Sequence, residues 1–150
     1  MSKPWFALVA STLETLHWAA TREVVIKIVL LTIGGAAGTN ARYWLGHWVA
    51  LSSWGRPFPL GTFIINVTGS FIVGLINILL MERAQPHHRH TYLLLSIGFC
   101  GAYTTFSTFE YETLMLIRQG HWGLALTYVM GSVLAGFVAV AMGVSLAEQA

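Results

Sequence analysis

Four long apolar stretches, separated by short polar segments, dominate the pattern of this chain. They run from about residue 28 to 51, from 60 to 81, from 91 to 117 and from 122 to 147. Each is long enough to cross a hydrocarbon core as a helix, which takes about 20 residues. Because the connections are short, consecutive helices are predicted to be antiparallel neighbours. The pattern predicts an all-α membrane protein whose four transmembrane helices form one compact bundle.

The first 24 residues carry a different pattern. Apolar side chains recur there at roughly helical spacing, and Glu14, Arg22 and Glu23 interrupt them. We interpret this segment as a helix that lies on the membrane surface. A cleaved signal peptide is the alternative, although its apolar region would be very short. The predicted organisation is an N-terminal interfacial extension, residues 1–24, followed by a four-helix transmembrane domain, residues 25–150.

The third apolar stretch differs from the others in composition. From residue 98 to 109 it reads GFCGAYTTFSTF, and its Gly, Thr and aromatic residues are indifferent or poor helix formers. Two glycines followed by paired threonines indicate a helix broken near the middle of the membrane. A break frees carbonyls that can coordinate a cation and helix N-termini that attract anions. An ordinary helix with a glycine contact face is the alternative.

Composition supports a membrane protein and excludes several function classes. The chain is 55% hydrophobic and only 9% charged, so its apolar surface must face lipid or partners. A net charge of +2 with scattered cations does not favour nucleic-acid binding. Asp is absent, so no Ser–His–Asp set can form, and we do not expect an enzyme. Cys100 is the single cysteine and excludes an internal disulfide.

Positive charge is nearly balanced between the two predicted sides of the membrane. The side with the N-terminus and the middle loop carries Lys3, Arg22, Lys27, Arg83 and Arg89, and the other side carries Arg56 and Arg118. This excess of three residues favours a cytoplasmic N-terminus, but it is small. A chain so evenly balanced can insert in both orientations. A bundle this small also has little room for an aqueous path, so a pore is predicted to need a second subunit.

Small and polar residues recur at every fourth position on three of the predicted helices. The stripes are Gly34, Gly38, Arg42 and Gly46; Asn66, Ser70 and Gly74, with Asn77 nearly in line; and Tyr128, Ser132 and Gly136. In lipid such stripes mark helix contacts. Asn66 needs partners for both its donors and its acceptor. Those partners are either another helix, or water and a permeant ion.

Arg42 and two phenylalanines are further candidates. Arg42 is a cation inside the first span, so it must pair, snorkel to the interface or line a wet path. We favour anchoring by carbonyls or a partner helix. Phe106 and Phe109 share a helix face, and their ring edges offer a small anion weak positive polarisation without trapping it. On residue type alone, two such rings are also typical of a core or a lipid-facing surface.

Three sequence patches resemble the small bacterial fluoride channels of the family called Fluc or CrcB. They are GTNARY at residues 38–43, GTFIINVTGSF at 61–71 and GFCGAYTTFSTFE at 98–110. With the four-span layout, the resemblance covers the chain from about Lys27 onwards. It implies a fluoride-selective channel that exports fluoride passively across the bacterial inner membrane and relieves fluoride toxicity. It also implies an antiparallel, dual-topology homodimer with two pores.

The resemblance assigns roles to particular residues of this chain. Those implied to line the pore or bind fluoride are Asn66, Phe106, Phe109, Ser132, Tyr128, Thr105, Ser107, Arg42 and Glu112. A structural Na⁺ at the dimer interface would be held by the carbonyls of Gly101 and Thr104 from each subunit. Gly136 stands where some members carry a second serine. The far end of the polar track on the fourth helix therefore departs from the family pattern.

The alternative function is proton-coupled export of the small multidrug-resistance type, which shares four spans and dual topology. Such a carrier needs an embedded carboxylate, usually in the first helix. The first span has none, and the only intramembrane acids are Glu110 and Glu112. A non-transporting assembly subunit would need only the small-residue stripes. The paired phenylalanines and the predicted break argue against that second alternative.

Overall fold

The computed structural model describes residues 4–52, 57–82 and 88–150, and most of them are helical. The α-helices are α1 (Pro4–Ser52), α2 (Leu60–Asn77), α3 (Arg89–Tyr92), α4 (Gly101–Tyr103), α5 (Phe106–Arg118) and α6 (Trp122–Gln149), and π-helical stretches cover Ile78–Glu82 and Leu93–Cys100. No strand occurs in the described ranges. The predicted all-α class is therefore confirmed.

Three of the described helices are long and apolar enough to cross a membrane. Their spans are Ala20–Ser52, Leu60–Leu80 and Trp122–Gln149. They match the first, second and fourth predicted spans. The third predicted span is divided into short pieces instead. Many large apolar side chains on α1 and α6 are exposed, such as Ile33 and Phe137, as expected for helices that face lipid. The chain is a multi-pass membrane protein.

The first helix is longer than the sequence pattern predicts. α1 has 49 residues, which corresponds to about 74 Å, against about 30 Å for a hydrocarbon core. The N-terminal extension and the first span are thus one helix, without a boundary at residue 24. The interfacial position of residues 1–24 stays a prediction. Residues 1–3, Arg56 and Arg83, which carry part of the predicted charge balance, lie outside the described residues.

The third segment, which comprises residues 89–118, is broken at Thr104 and Thr105. Thr104 has φ -79° and ψ 160°, and Thr105 has φ -151° and ψ 121°, so both are extended. α4 ends just before them at Tyr103, and α5 begins just after them at Phe106. The prediction of a broken third helix is confirmed, and the alternative of one ordinary helix is wrong.

The glycine stripe of α1 packs directly on the backbone of this third segment. A Cβ atom at Gly34 would collide with the carbonyl of Leu94, and one at Gly38 with the carbonyl of Phe99. Only residues without a side chain allow two backbones to approach so closely in a membrane. The same close approach joins α2 to α6 at Gly74. The stripes therefore fix how the broken segment is held between its neighbours.

Candidate functional site

Asn66 on α2 replaces a backbone hydrogen bond that the break removes. Its Nδ2 donates to the carbonyl of Thr105 at 3.0 Å, and its Oδ1 accepts from the amide of Thr105 at 2.9 Å. In a continuous helix that amide would donate to the carbonyl of Gly101, four residues earlier. The Asn66 side chain therefore holds the chain in its extended form. One of its two amide hydrogens remains available for another partner.

The start of α5 is capped by Thr105, and the carbonyl before it is held by Arg42. Thr105 Oγ1 accepts from the amide of Thr108 at 3.3 Å and donates to the hydroxyl of Thr108 at 2.9 Å. In a helix the amide of Thr108 would instead hold the carbonyl of Thr104. Arg42 Nη1 donates to that carbonyl at 3.3 Å. Arg42 is thus anchored on a carbonyl, the interpretation that the sequence favoured.

The break separates two cavities, which meet at Thr105. The first, which we call the Asn66 groove, has a volume of about 640 Å³ and runs between α2 and the third segment. The predicted residues that line it are Asn66, Gly101, Thr104, Thr105, Phe106, Phe109 and Ser132. The second, the Arg42 pocket, has a volume of about 520 Å³ and is lined by Arg42, Thr105 and Glu112 among others. Most of the predicted site is therefore brought together around the break.

Phe106 and Phe109 lie side by side at the edge of the Asn66 groove. Their ring centroids are 5.9 Å apart and their planes are tilted by 36°, so the predicted shared face is confirmed. The ring of Phe109 also packs on Tyr128, with centroids 5.0 Å apart. Phe106 is 70% exposed. One ring is therefore fixed by the core, while the other is open to a partner or to lipid.

Ser132 on α6 lines the groove, and its hydroxyl has no partner in the described part of the chain. Among the described residues, its Oγ atom is buried and has no hydrogen-bond partner. A buried polar group left in this state costs about 1–3 kcal/mol. A guest that accepts a hydrogen bond would recover that energy. Together with the remaining amide hydrogen of Asn66, the Ser132 hydroxyl makes the groove suited to a small anion.

Glu112 and Tyr128 form a polar network beside the Arg42 pocket. The Glu112 carboxylate accepts from Thr62 Oγ1 at 2.9 Å and from the Tyr128 hydroxyl at 2.8 Å. Tyr128 is completely buried. It is not among the described residues that line the two cavities. Its hydroxyl serves the carboxylate. Thr62 was not predicted from the sequence, although this residue lies one helical turn before Asn66 and so extends the same stripe.

The remaining predicted residue, Ser107, lies apart from this assembly. It is exposed on the first turn of α5, and it is not among the described lining residues of either cavity. Four polar residues that were not predicted for the pore also line the Asn66 groove, namely Ser70, Asn77, Tyr92 and Ser96. The register of Asn77 with Asn66 was visible in the sequence. The placement of Ser96 was not, because a π-helical stretch sets it.

Comparison with known proteins identifies the family of this chain. Residues 29–144 match the family model described as "CrcB-like protein, Camphor Resistance (CrcB)". A protein of Solibacter usitatus named "Fluoride-specific ion channel FluC" is 45% identical, over 83% of this chain and 100% of its own length. Proteins of the same name from Oceanobacillus iheyensis and Chloroflexus aurantiacus are each 41% identical, over 81% and 80% of this chain and 91% and 94% of their own lengths. The chain therefore belongs to the CrcB family.

Proposed function

We propose that this protein is a fluoride-specific ion channel that lets fluoride leave the cell passively. The observation that carries the proposal is the unsatisfied Ser132 hydroxyl, which lines one groove with the Asn66 amide and the two phenylalanine rings. The names of the CrcB relatives support the same ion. In this proposal the Asn66 groove and the Arg42 pocket are consecutive parts of one pathway that passes the break.

The chemistry of the groove suits fluoride in particular. Fluoride is small and strongly hydrated, so it enters only where donors replace its water. Asn66 and Ser132 supply such donors without a fixed positive charge, and the rings of Phe106 and Phe109 supply weakly positive edges. Conduction needs binding that is favourable enough to enter and weak enough to leave. Chloride is larger, and the width of the path excludes it.

Fluoride efflux from proteoliposomes tests this function directly. Purified protein is reconstituted with internal potassium fluoride, and efflux is followed with a fluoride electrode after valinomycin addition. We expect rapid fluoride release, and no release when chloride replaces fluoride inside the same vesicles. Efflux that needs a proton gradient would favour a coupled carrier. Equal release of chloride would show that the protein is not specific for fluoride.

For the assembly we propose four membrane crossings, with the third segment as a crossing, and an antiparallel homodimer in the bacterial inner membrane. The exposed ring of Phe106 and the open Asn66 groove support a second subunit, which would close the pathway. The nearly balanced loop charges support both orientations. Reporter domains fused after Ala150 should be active on both sides of the membrane. A single orientation in all molecules would rule out the antiparallel dimer.

We further propose that a structural Na⁺ lies where two such subunits meet. The residues fit such an ion, because two carbonyls at the break have lost their usual helical donors. The amide that would donate to the carbonyl of Gly101 donates to Asn66 Oδ1, and the amide that would donate to the carbonyl of Thr104 donates to Thr105 Oγ1. A carbonyl oxygen has two lone pairs, so Thr104 can accept from Arg42 and still face a cation. Among the described residues there is no group of three His, Cys, Asp or Glu, which disfavours a divalent ion.

Sodium replacement tests this site separately from transport. When Na⁺ is exchanged thoroughly for a larger monovalent cation, we expect both a lower dimer melting temperature and slower fluoride efflux. Efflux should nevertheless need no sodium gradient, because the ion would be bound between the pathways. Unchanged melting and efflux after complete exchange would argue that no sodium is bound.

A further inference from the structure

One face of α2 lines the Asn66 groove along its whole length. The residues on this face are Asn66, Gly69, Ser70, Val73 and Asn77. Asn77 follows Asn66 by eleven residues, which is three helical turns, or about 16 Å along the axis with a rotation of only about 20°. The groove therefore has an amide near the break and a second amide at its far end, on the same side.

The far amide is held by a serine from the opposite wall of the groove. Ser96 Oγ donates to Asn77 Oδ1 at 2.9 Å, and Ser96 is only 5% exposed. Ser96 lies in the π-helical stretch Leu93–Cys100, and Asn77 is the last residue of α2 before the π-helical stretch Ile78–Glu82. Local π-helical geometry often occurs at functional sites, where it redirects side chains. Here it accompanies the polar pair of Ser96 and Asn77 at this end of the groove.

The direction of this hydrogen bond decides which atoms of Asn77 remain available. Because the Ser96 hydroxyl donates to Asn77 Oδ1, this bond uses neither hydrogen of the Asn77 amide. Asn77 lines the groove, so its wall carries two amide hydrogens that this pair does not use. The pair thus orients a neutral, twofold donor, which is the chemistry that an anion needs.

Among the described residues of α6 that line the groove, Ser132 and Val133, only Ser132 has a side-chain donor. Position 136 is a glycine, and the nearest atom to a Cβ placed there is Ser70 Oγ at 3.5 Å. Ser70 donates its only hydroxyl hydrogen to the carbonyl of Asn66 at 2.8 Å. Neither position can therefore donate to an anion that moves on from Ser132.

We propose that Asn77, oriented by Ser96, is a second anion-recognition residue, which receives fluoride at the far end of the Asn66 groove. The proposal rests on the proposed channel function and assigns this stretch of the path to α2 rather than α6. Asn77 would contact the ion. Ser96 would act through Asn77 as a positioning residue.

Asn77→Asp tests the amide most directly. Aspartate keeps an acceptor for the Ser96 hydroxyl but replaces the two donors with negative charge, so efflux should fall at least roughly tenfold. Gln119→Glu is the matched control, because Gln119 is an exposed amide between α5 and α6 and is not among the described residues that line either cavity. That control should conduct like the wild type. Normal efflux from a dimeric Asn77→Asp protein would overturn the proposal.

Ser96→Ala separates recognition from helix joining, even if the aspartate variant fails to fold. It leaves the amide in place but removes what orients it, so the fluoride concentration that gives half-maximal flux should rise roughly twofold to fivefold. Asn77→Gln should restore part of the flux that Asn77→Asp loses. If Ser96→Ala lowers only the melting temperature and leaves half-saturation unchanged, the pair is structural and the proposal is wrong. A wild-type protein without fluoride flux would instead remove the channel function itself.

Discussion

The third segment and α6 are neighbours of nearly equal length, yet their backbones are satisfied in opposite ways. α6 runs unbroken for 28 residues, so its hydrogen bonds lie within itself. The third segment is divided at Thr104 and Thr105, and its freed backbone groups are held by Asn66 and Arg42 from other helices. A membrane tolerates such a break only where protein covers it. The conformation of the broken segment therefore depends on its neighbouring helices.

The hydroxyl groups of the two regions show the reverse pattern. Thr105 and Thr108 bond to each other at the break, and Thr104 Oγ1 donates to the carbonyl of Cys100 at 3.0 Å. On α6, by contrast, the Ser132 hydroxyl lies buried without a partner among the described residues. The threonine hydroxyls at the break therefore serve the structure of the broken segment, whereas this hydroxyl of the intact helix does not. Four sets of substitutions test this contrast.

Asn66→Asp should nearly abolish fluoride efflux. The carboxylate can still accept from the amide of Thr105, but it cannot donate to the carbonyl of Thr105 and it repels an anion. Loss of a charge-assisted hydrogen bond costs up to about 3 kcal/mol, or roughly 100-fold in rate. The measurement is efflux per dimer from proteoliposomes, with dimer content checked by size-exclusion chromatography. Normal conduction would mean that Asn66 serves only the structure of the break.

Gly38→Ala should destabilise the protein because the added methyl group meets the carbonyl of Phe99. Overpacking of this kind costs about 1–3 kcal/mol. Gly35→Ala is the matched control on the same helix, since a Cβ there meets nothing within 4 Å. We expect a lower melting temperature in detergent for the first variant and an unchanged or higher one for the second. Equal melting of the two would contradict the dependence of the broken segment on α1.

Phe106→Ile and Phe109→Ile should each slow fluoride efflux by roughly tenfold. An aliphatic chain lacks the positive ring edge, whose interaction contributes about 1.5 kcal/mol at most. The dimer should remain intact. Phe137→Ile is a suitable control, as Phe137 is 73% exposed on α6 and is not among the described residues that line either cavity. Wild-type efflux from both ring variants would remove the phenylalanines from the path.

Ser132→Ala should have the smallest effect, a loss of roughly fivefold in efflux, or about 1 kcal/mol. No described residue makes a hydrogen bond to this hydroxyl, so stability should not fall. Thr127→Ala on the same helix is the control, because the Thr127 hydroxyl is exposed and donates to the carbonyl of Gly123 at 2.9 Å. A variant at Ser132 that melts early but conducts normally would show that the hydroxyl has a structural partner after all.

Periodicity and composition were enough to predict the helical class, three of the spans and the break. Apolar length predicts a span because the membrane demands it, and paired threonines after glycines disfavour a continuous helix. The contact stripes also followed from spacing, since residues four apart share a helix face. The candidate residues at positions 66, 106, 109 and 132 lie on three different helices, and the family resemblance, not their spacing, grouped them before the structure placed them around one groove.

Other features depend on tertiary contacts that no local pattern encodes. Which side chain replaces the missing bond of Thr105 depends on the distance between α2 and the break, so Asn66 remained ambiguous until the fold was known. The Glu112 network needs Thr62 and Tyr128 from two further helices. The length of α1 was missed because Glu14, Arg22 and Glu23 interrupt the apolar pattern. A helix outside the hydrocarbon core tolerates such residues, so polarity did not mark its end.

The broken segment has a consequence for biosynthesis. A translocon releases into lipid those segments that are apolar over about 20 residues, and it penalises each acidic residue near the centre by about 2.5–3.5 kcal/mol. The third segment carries Glu110 and Glu112, and it contains no single helix of spanning length. If it crosses the membrane as proposed, it would do so poorly on its own. The glycine face of α1 is synthesised first, so it can receive the later segment and make its insertion a step of folding.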